Sequence, residues 1–196
     1  MKSFRKYLVW FSLLFLACDS LFSTREPESP NNPQSNWTPP LNPEQVLPNL
    51  QSAIFERNLE NYIRCLVDPS FSDRTFYFNP DPEVNANYAE VFESWNRDKE
   101  RAVMQQAFSI VPPDSVSYVQ FTEETWEIVV PDSAVLVSRY RLEFHHTQST
   151  LPTVYKGHVT LSLASDRRGE WSIHRWIDNG VSGFSSWSLL KASLGG

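Results

Sequence analysis

The sequence predicts an α+β domain in which N-terminal helices pack on one face of a strongly bent antiparallel sheet. Apolar residues recur at helical spacing before Pro112-Pro113 and at alternate positions after it. Short turn-rich joints separate the later apolar runs, which is typical of antiparallel hairpins. Of the 196 residues, 41% are hydrophobic and 14% are aromatic, which suffices for one domain with an apolar core.

The first eighteen residues have the order of a lipoprotein signal peptide. Three cations within residues 2–6 precede the apolar run 7–17, which is too short to span a bilayer core of ~30 Å. The run ends in Leu14-Phe-Leu-Ala-Cys18, which resembles the lipobox of bacterial lipoproteins. The resemblance implies lipidation at Cys18, with the membrane as partner and the bacterial cell envelope as location. The alternative is an ordinary secretory signal with a chance cysteine.

Residues 19–42 are predicted to form a linker. They contain repeated prolines among Ser, Asn, Thr and Glu, without regularly spaced apolar residues. Proline-rich chains extend by roughly 3.1 Å per residue, so this segment could hold the domain several nanometres from the lipid. The folded domain is predicted to cover residues 43–196.

The charge balance argues against nucleic-acid binding. The formal net charge is −6, and the residues after Cys18 hold 14 basic against 23 acidic side chains. Phosphate-driven binding requires the opposite balance. No His, Cys, Asp or Glu cluster has metal-ligand spacing and no phosphate-binding glycine loop is present, so we expect no metal and no cofactor.

Two helical regions precede the long strands. Asn42-Pro43-Glu44 combines an N-cap residue, a first-turn proline and an acid, and so predicts a helix start. Apolar positions across 43–66 then predict two consecutive helical segments or one bent helix. Cys65 lies beside this apolar stripe and is predicted to be a buried, inert thiol. A further helix is predicted over 97–109.

Six segments show the alternation of apolar and polar residues that is typical of β-strands. The first is 73–79, before the second helical region, and it ends at Pro80. The others follow Pro112-Pro113 and are separated by turn residues. They cover residues 116–121, 125–130, 134–146, 153–163 and 170–177.

This order of elements resembles the nuclear transport factor 2-like fold, a cone-shaped domain shared with SnoaL-like polyketide cyclases, ketosteroid isomerases and scytalone dehydratase. Residues 44–82 and the last strand, 171–178, resemble envelope lipoproteins of this superfamily. The similarity covers about residues 43–192. It implies a fold rather than an activity, because the fold hosts enzymes, ligand binders and interaction modules.

Strand alternation assigns polar side chains to the two faces of the sheet. His145, His158 and His174 lie on the face of the sheet whose side chains carry charges of both signs, which is typical of a solvated face. Trp176 and Asp178 are assigned to the same face. Inward-facing polar and aromatic residues form the candidate pocket, namely Tyr62, Trp95, Trp126, Tyr140, His146 and Arg175.

Arg175 is the most informative of these residues, because a buried guanidinium requires a partner. Either it pairs with a carboxylate of the domain, or it borders an aromatic cavity suited to an acidic or carbonyl ligand. The first alternative is favoured.

These features lead to two hypotheses about function. The first is a non-enzymatic domain that binds a small amphipathic or acidic ligand or a protein partner. The second is a cyclase- or isomerase-like enzyme for a small carbonyl compound, with His146 as base and Tyr140 as donor, or with Asp68 or Glu93 reaching in. Because no inward Asp or Glu is predicted between residues 134 and 177, the enzyme is the less favoured hypothesis. A homodimer formed through the open sheet face, carrying Trp176, is a further hypothesis.

Overall fold

The computed structural model describes residues 35–196, except for the side chains of residues 128 and 129. It confirms the predicted α+β class, with several helices and one five-stranded sheet. Cys18, its signal sequence and the first part of the linker lie outside the described residues.

The first helical region consists of two segments, as predicted. A 3-10 turn, Pro43–Gln45, leads into α1, Val46–Phe55, and α2 covers Leu59–Arg64. The side chain of Asn58 caps α2 by accepting a hydrogen bond from the backbone N–H of Asn61 at 3.1 Å. Arg57 lies between the helices with a φ of 54°, which breaks the helical ladder.

Two more helices follow the first strand, β1, which is Tyr77–Asn79. The first, α3, is Pro82–Phe92 and was not predicted, although Asp81-Pro82 carries an N-cap and first-turn proline signal. The second, α4, is Arg97–Ser109 and matches the predicted range.

The remaining strands form long antiparallel hairpins: β2, Tyr118–Val130; β3, Ser133–Glu143; β4, Val154–Ser165; and β5, Trp171–Gly180. The two segments predicted at 116–130 are one strand, with an irregularity at Glu123. A final helix, α5, Trp187–Gly195, was not predicted.

One pairing differs from the antiparallel prediction. The spatial order is β1-β5-β4-β3-β2, and β1 lies parallel to β5, so the sheet is mixed. β1 has only three residues and lies far from β5 along the chain. Its own sequence therefore contains no hairpin signal that fixes its direction.

A β-bulge in β5 reverses the face assignments made from strict alternation. Leu163 pairs with Ile173, whereas the preceding residue of β4, Ser162, pairs with Arg175, so His174 is an extra residue. The prediction that Arg175 points inward is wrong, because Arg175 is exposed.

The residues beyond the bulge change face as well. Trp176 and Asp178, which were assigned to the open face, are both 0% exposed. The homodimer hypothesis therefore loses Trp176 as a contact residue. Of the three histidines predicted on the solvated face, His145 is exposed and the other two are half-buried.

The segment before the first helix packs against the rest of the domain. The Asn49 side chain donates to the carbonyl oxygen of Thr38 at 2.7 Å. The backbone N–H of Trp171 donates to the carbonyl oxygen of Pro40, also at 2.7 Å. The Arg64 guanidinium lies 4.0 Å from the ring centroid of Trp37. Residues 35–42, at the end of the predicted linker, thus contact the domain.

The sheet and helices enclose an apolar core, and α5 contributes to it. Trp187, Leu190, Ala192 and Leu194 of α5 are all buried. Residues 35–196 include no helix with the length and apolar composition needed to cross a bilayer.

The bulge gives a direct test of this register. Deleting the extra residue His174 should leave Arg175 opposite Ser162 and keep Trp176 and Asp178 inward, so we expect a loss of no more than about 3 kcal/mol in the free energy of unfolding. Deleting Ile177, a regular ladder residue, should instead turn Asp178 toward solvent and cost more than about 4 kcal/mol. His174→Ala keeps the register and should cost no more than about 1 kcal/mol. Urea denaturation followed by circular dichroism measures all three variants; a His174 deletion as costly as the Ile177 deletion would contradict the assigned bulge.

Candidate functional site

The six predicted pocket residues do not form one pocket. Tyr62, Trp95 and Tyr140 are buried, and their polar atoms bind two carboxylates that were not among the predicted pocket residues. These acids are Glu100 and Asp178. Trp126 and His146 are only partly buried, and Arg175 is exposed.

Glu100 on α4 is the centre of the first cluster. Its carboxylate accepts hydrogen bonds from Tyr62 Oη at 2.6 Å and Trp95 Nε1 at 2.7 Å. The ammonium of Lys191 on α5 lies 2.9 Å from both carboxylate oxygens. Both side chains of this ion pair are 0% exposed, so two charges are enclosed in the core.

Helical spacing contains a signal for the burial of Glu100. The residue lies three, four and seven positions before Val103, Met104 and Ala107, which form the buried face of α4. Residues at these separations share one helix face. Glu100 could therefore have been recognised as an inward-facing acid.

Aromatic rings surround the Lys191 ammonium. Its Nζ lies 3.7 Å from the ring centroid of Phe78 and 4.4 Å from that of Trp176. Burial lowers the pKa of Lys191, and the Glu100 carboxylate opposes this shift by favouring the charged ammonium. Burial and the same carboxylate raise the pKa of Tyr62 well above its usual range.

Asp178 on β5 is the centre of the second cluster. Its Oδ1 accepts a hydrogen bond from Tyr140 Oη at 2.7 Å, and its Oδ2 accepts one from the backbone N–H of Ser188 at 2.7 Å. Ser188 Oγ also donates to Oδ2, at 2.5 Å. Burial raises the pKa of Asp178, while the hydrogen bonds of Ser188 and Tyr140 act in the opposite direction.

Helix α5 supplies partners for both interior acids. Its first residues bind Asp178, and the backbone N–H of Trp187 donates to Tyr140 Oη at 2.7 Å. Its Lys191 neutralises Glu100. Both interior acids thus already bind groups of the protein.

The other predicted residues lie apart from these clusters. One ring nitrogen of His146, Nε2, lies 2.9 Å from the carbonyl oxygen of Pro152. Trp126 pairs with Leu136 across the β2–β3 ladder and packs on the edge of the core. Arg175 Nε donates to Asn79 Oδ1 at 3.1 Å. Both alternatives for a buried Arg175 are therefore wrong.

An open cleft of about 710 Å³ lies between α3 and the segment that joins β5 to α5. Asp81 connects its two sides: Oδ1 accepts from the backbone N–H groups of Glu83 and Val84, and Oδ2 accepts from that of Gly180. Its lining includes Asp81, Glu83, Asn87, Tyr88, Phe184 and Ser186.

A smaller cleft of about 220 Å³ is lined by three arginines and three acids. Arg168 forms ion pairs with Asp166 at 2.7 Å and Glu170 at 3.2 Å. Because positive and negative side chains are equal in number, this cleft has no net attraction for an ion of either sign. Residues 35–196 contain no group of His, Cys, Asp and Glu that could hold a metal ion.

Comparison with solved structures identifies the fold. A proposed aromatic-ring hydroxylase from Novosphingobium aromaticivorans aligns with a TM-score of 0.55 and 8% identity, over 76% of this chain and 92% of its own. A proposed scytalone dehydratase from the same organism gives a TM-score of 0.53 and 12% identity, over 74% and 89%.

A nuclear transport factor 2-like superfamily protein from Salmonella enterica gives a TM-score of 0.51 and 9% identity, over 70% of this chain and 87% of its own. The chain thus has the nuclear transport factor 2-like fold, as the sequence resemblance implied. Its sequence matches no protein-family model and no curated protein.

The buried ion pair predicts a strongly coupled response to mutation. Lys191→Met leaves the Glu100 charge buried without a counter-ion, so we expect a loss of about 3–5 kcal/mol in the free energy of unfolding. Lys191→Met combined with Glu100→Gln should recover at least about half of that loss, because no buried charge remains.

Arg175→Met is the control for this measurement. Its guanidinium is exposed, so the expected change is within about 0.5 kcal/mol. Chemical denaturation of five proteins measures the coupling: the wild type, Lys191→Met, Glu100→Gln, the double variant and Arg175→Met. Additive effects of the Lys191 and Glu100 substitutions would contradict the ion pair.

Proposed function

We propose that this protein is a non-catalytic binding module that a lipid on Cys18 anchors to a membrane of the bacterial cell envelope. The non-catalytic role is supported by the position of α5. Its Lys191 and Ser188 bind Glu100 and Asp178, which are both 0% exposed. A general base must reach the substrate proton directly or through a water molecule, and these carboxylates have no such access.

The open cleft between α3 and the β5–α5 segment is the proposed binding site. Its volume of about 710 Å³ lies within the range of small-molecule sites, roughly 300–1,000 Å³. The expectation of an acidic ligand depended on an inward-facing Arg175, but Arg175 is exposed. The ligand that we propose is therefore a small amphipathic molecule with polar groups.

The membrane anchor is supported by the sequence. The cationic start, the short apolar run and Ala17-Cys18 have the order of a lipoprotein signal. Two or more acyl chains would hold the protein at the membrane, whereas a single chain gives only marginal binding. The proline-rich segment after Cys18 would act as the spacer.

A second candidate function is a cyclase- or isomerase-like activity on a small carbonyl compound. One observation favours it, because Tyr140 and Asp178 form a hydroxyl–carboxylate pair at 2.7 Å within a fold shared with a proposed scytalone dehydratase. Such a site would require α5 to leave the interior. A homodimer formed through the open sheet face also remains a proposal.

Lipidation has a simple test. The wild-type protein should partition into the detergent phase of its host's membrane extract, and Cys18→Ala should leave an unprocessed precursor without the lipid. Cys65→Ala is the matched control, since Cys65 is buried in the domain and should not affect processing. Mass spectrometry of the mature N-terminus distinguishes the forms; a wild-type protein with a free, unmodified N-terminus would overturn the anchor.

The binding and enzymatic alternatives can be separated in one set of assays. We expect small amphipathic compounds to perturb amide resonances of residues 81, 83–88 and 180–186, without turnover of carbonyl substrates. Reproducible turnover that is lost in Tyr140→Phe or His146→Ala would contradict the non-catalytic proposal.

A further inference from the structure

We infer that the cleft between α3 and the β5–α5 segment selects a small organic cation that carries primary ammonium groups. This inference rests on the proposed binding function and names the chemical class of its ligand. Charge, unused hydrogen-bonding capacity and exposed aromatic rings in the cleft all lead to the same class.

The charge of the cleft excludes anions. Two acids, Asp81 and Glu83, belong to its lining, and no Lys or Arg does among the described residues. The whole chain has a formal net charge of −6, so its long-range field also attracts cations. A carboxylate or phosphate ligand would meet like charges without a compensating cation from the lining.

The hydrogen-bonding groups of the cleft require a ligand that donates. A carboxylate oxygen has two lone pairs, and Asp81 Oδ2 accepts a single hydrogen bond, from the backbone N–H of Gly180. Glu83 adds an exposed carboxylate, which also only accepts hydrogen bonds. An ammonium offers three donors and no acceptor, which matches these two carboxylates.

Aromatic rings complete the site. Tyr88 is 38% exposed and Phe184 is 50% exposed, and both line the cleft. The Phe184 ring already has an ammonium on its face, because Lys156 Nζ lies 3.8 Å from its centroid. A ligand ammonium can make the same cation–π contact with either ring. The Lys156 ammonium would therefore compete with the ligand for the Phe184 ring and would not itself bind the ligand.

Three probes of equal chain length test the inference. They are 1,5-diaminopentane, 1,5-pentanediol and glutarate, which differ in their charge at pH 7. Isothermal titration calorimetry uses the full, lipidated chain in a non-ionic detergent at low and at physiological salt. We expect the diamine to bind at least tenfold more tightly than the diol, and glutarate not to bind.

Variants assign the binding to the cleft. Glu83→Gln should weaken diamine binding about twofold to fivefold, as expected for an exposed ion pair. Glu90→Gln, which lies on the same helix outside this cleft, is the matched control and should leave the affinity unchanged. Lys156→Met should tighten binding, because it removes the competing cation from Phe184.

The probes also separate this inference from the proposed function. If the diol or glutarate binds in the cleft as tightly as the diamine, the ammonium class is wrong and the binding function stands. If no probe binds, the inference is overturned, while the resonance screen with amphipathic compounds and the Cys18→Ala fractionation decide the proposed function independently.

Discussion

The buried ion pair between Glu100 and Lys191 is the constraint on which the rest of this structure depends. Removing two charges from water costs several kcal/mol per ion, and good geometry must repay that cost. Here Tyr62 and Trp95 donate to the carboxylate, and the ammonium lies on the rings of Phe78 and Trp176. The aromatic content of the chain thus does more than fill the core, because several rings solvate one cation.

The same ion pair determines what the fold can do. Lys191 fixes α5 in the interior, and the start of α5 binds Asp178 through Ser188. Both carboxylates are buried and bind groups of the protein, which supports the proposed binding at the outer cleft over proton transfer in the interior. Asp81 links the two regions, since its carboxylate caps α3 and binds Gly180 beside the cleft, while its backbone N–H donates to Ser188 Oγ.

The β5 bulge is the second decisive feature, because it supplies the residues of the interior. If His174 occupied a regular ladder position instead of the bulge, Arg175 would face the core and Trp176 and Asp178 would face solvent. The bulge thus replaces a buried cation by a buried acid and an indole. The Lys191 cage and the Asp178 contact to α5 both depend on that exchange.

The sequence by itself determined the α+β class, the helices at 43–66 and 97–109 and the approximate strands, because apolar period and capping residues are local signals. It also placed Tyr62, Trp95 and Tyr140 inside. Only the tertiary structure decided the parallel pairing of β1, the burial of α5 and the face of each residue after His174. Bulges and ion pairs depend on partners far along the chain, such as Ser162 for Arg175 and Glu100 for Lys191, and local periodicity contains no information about such partners.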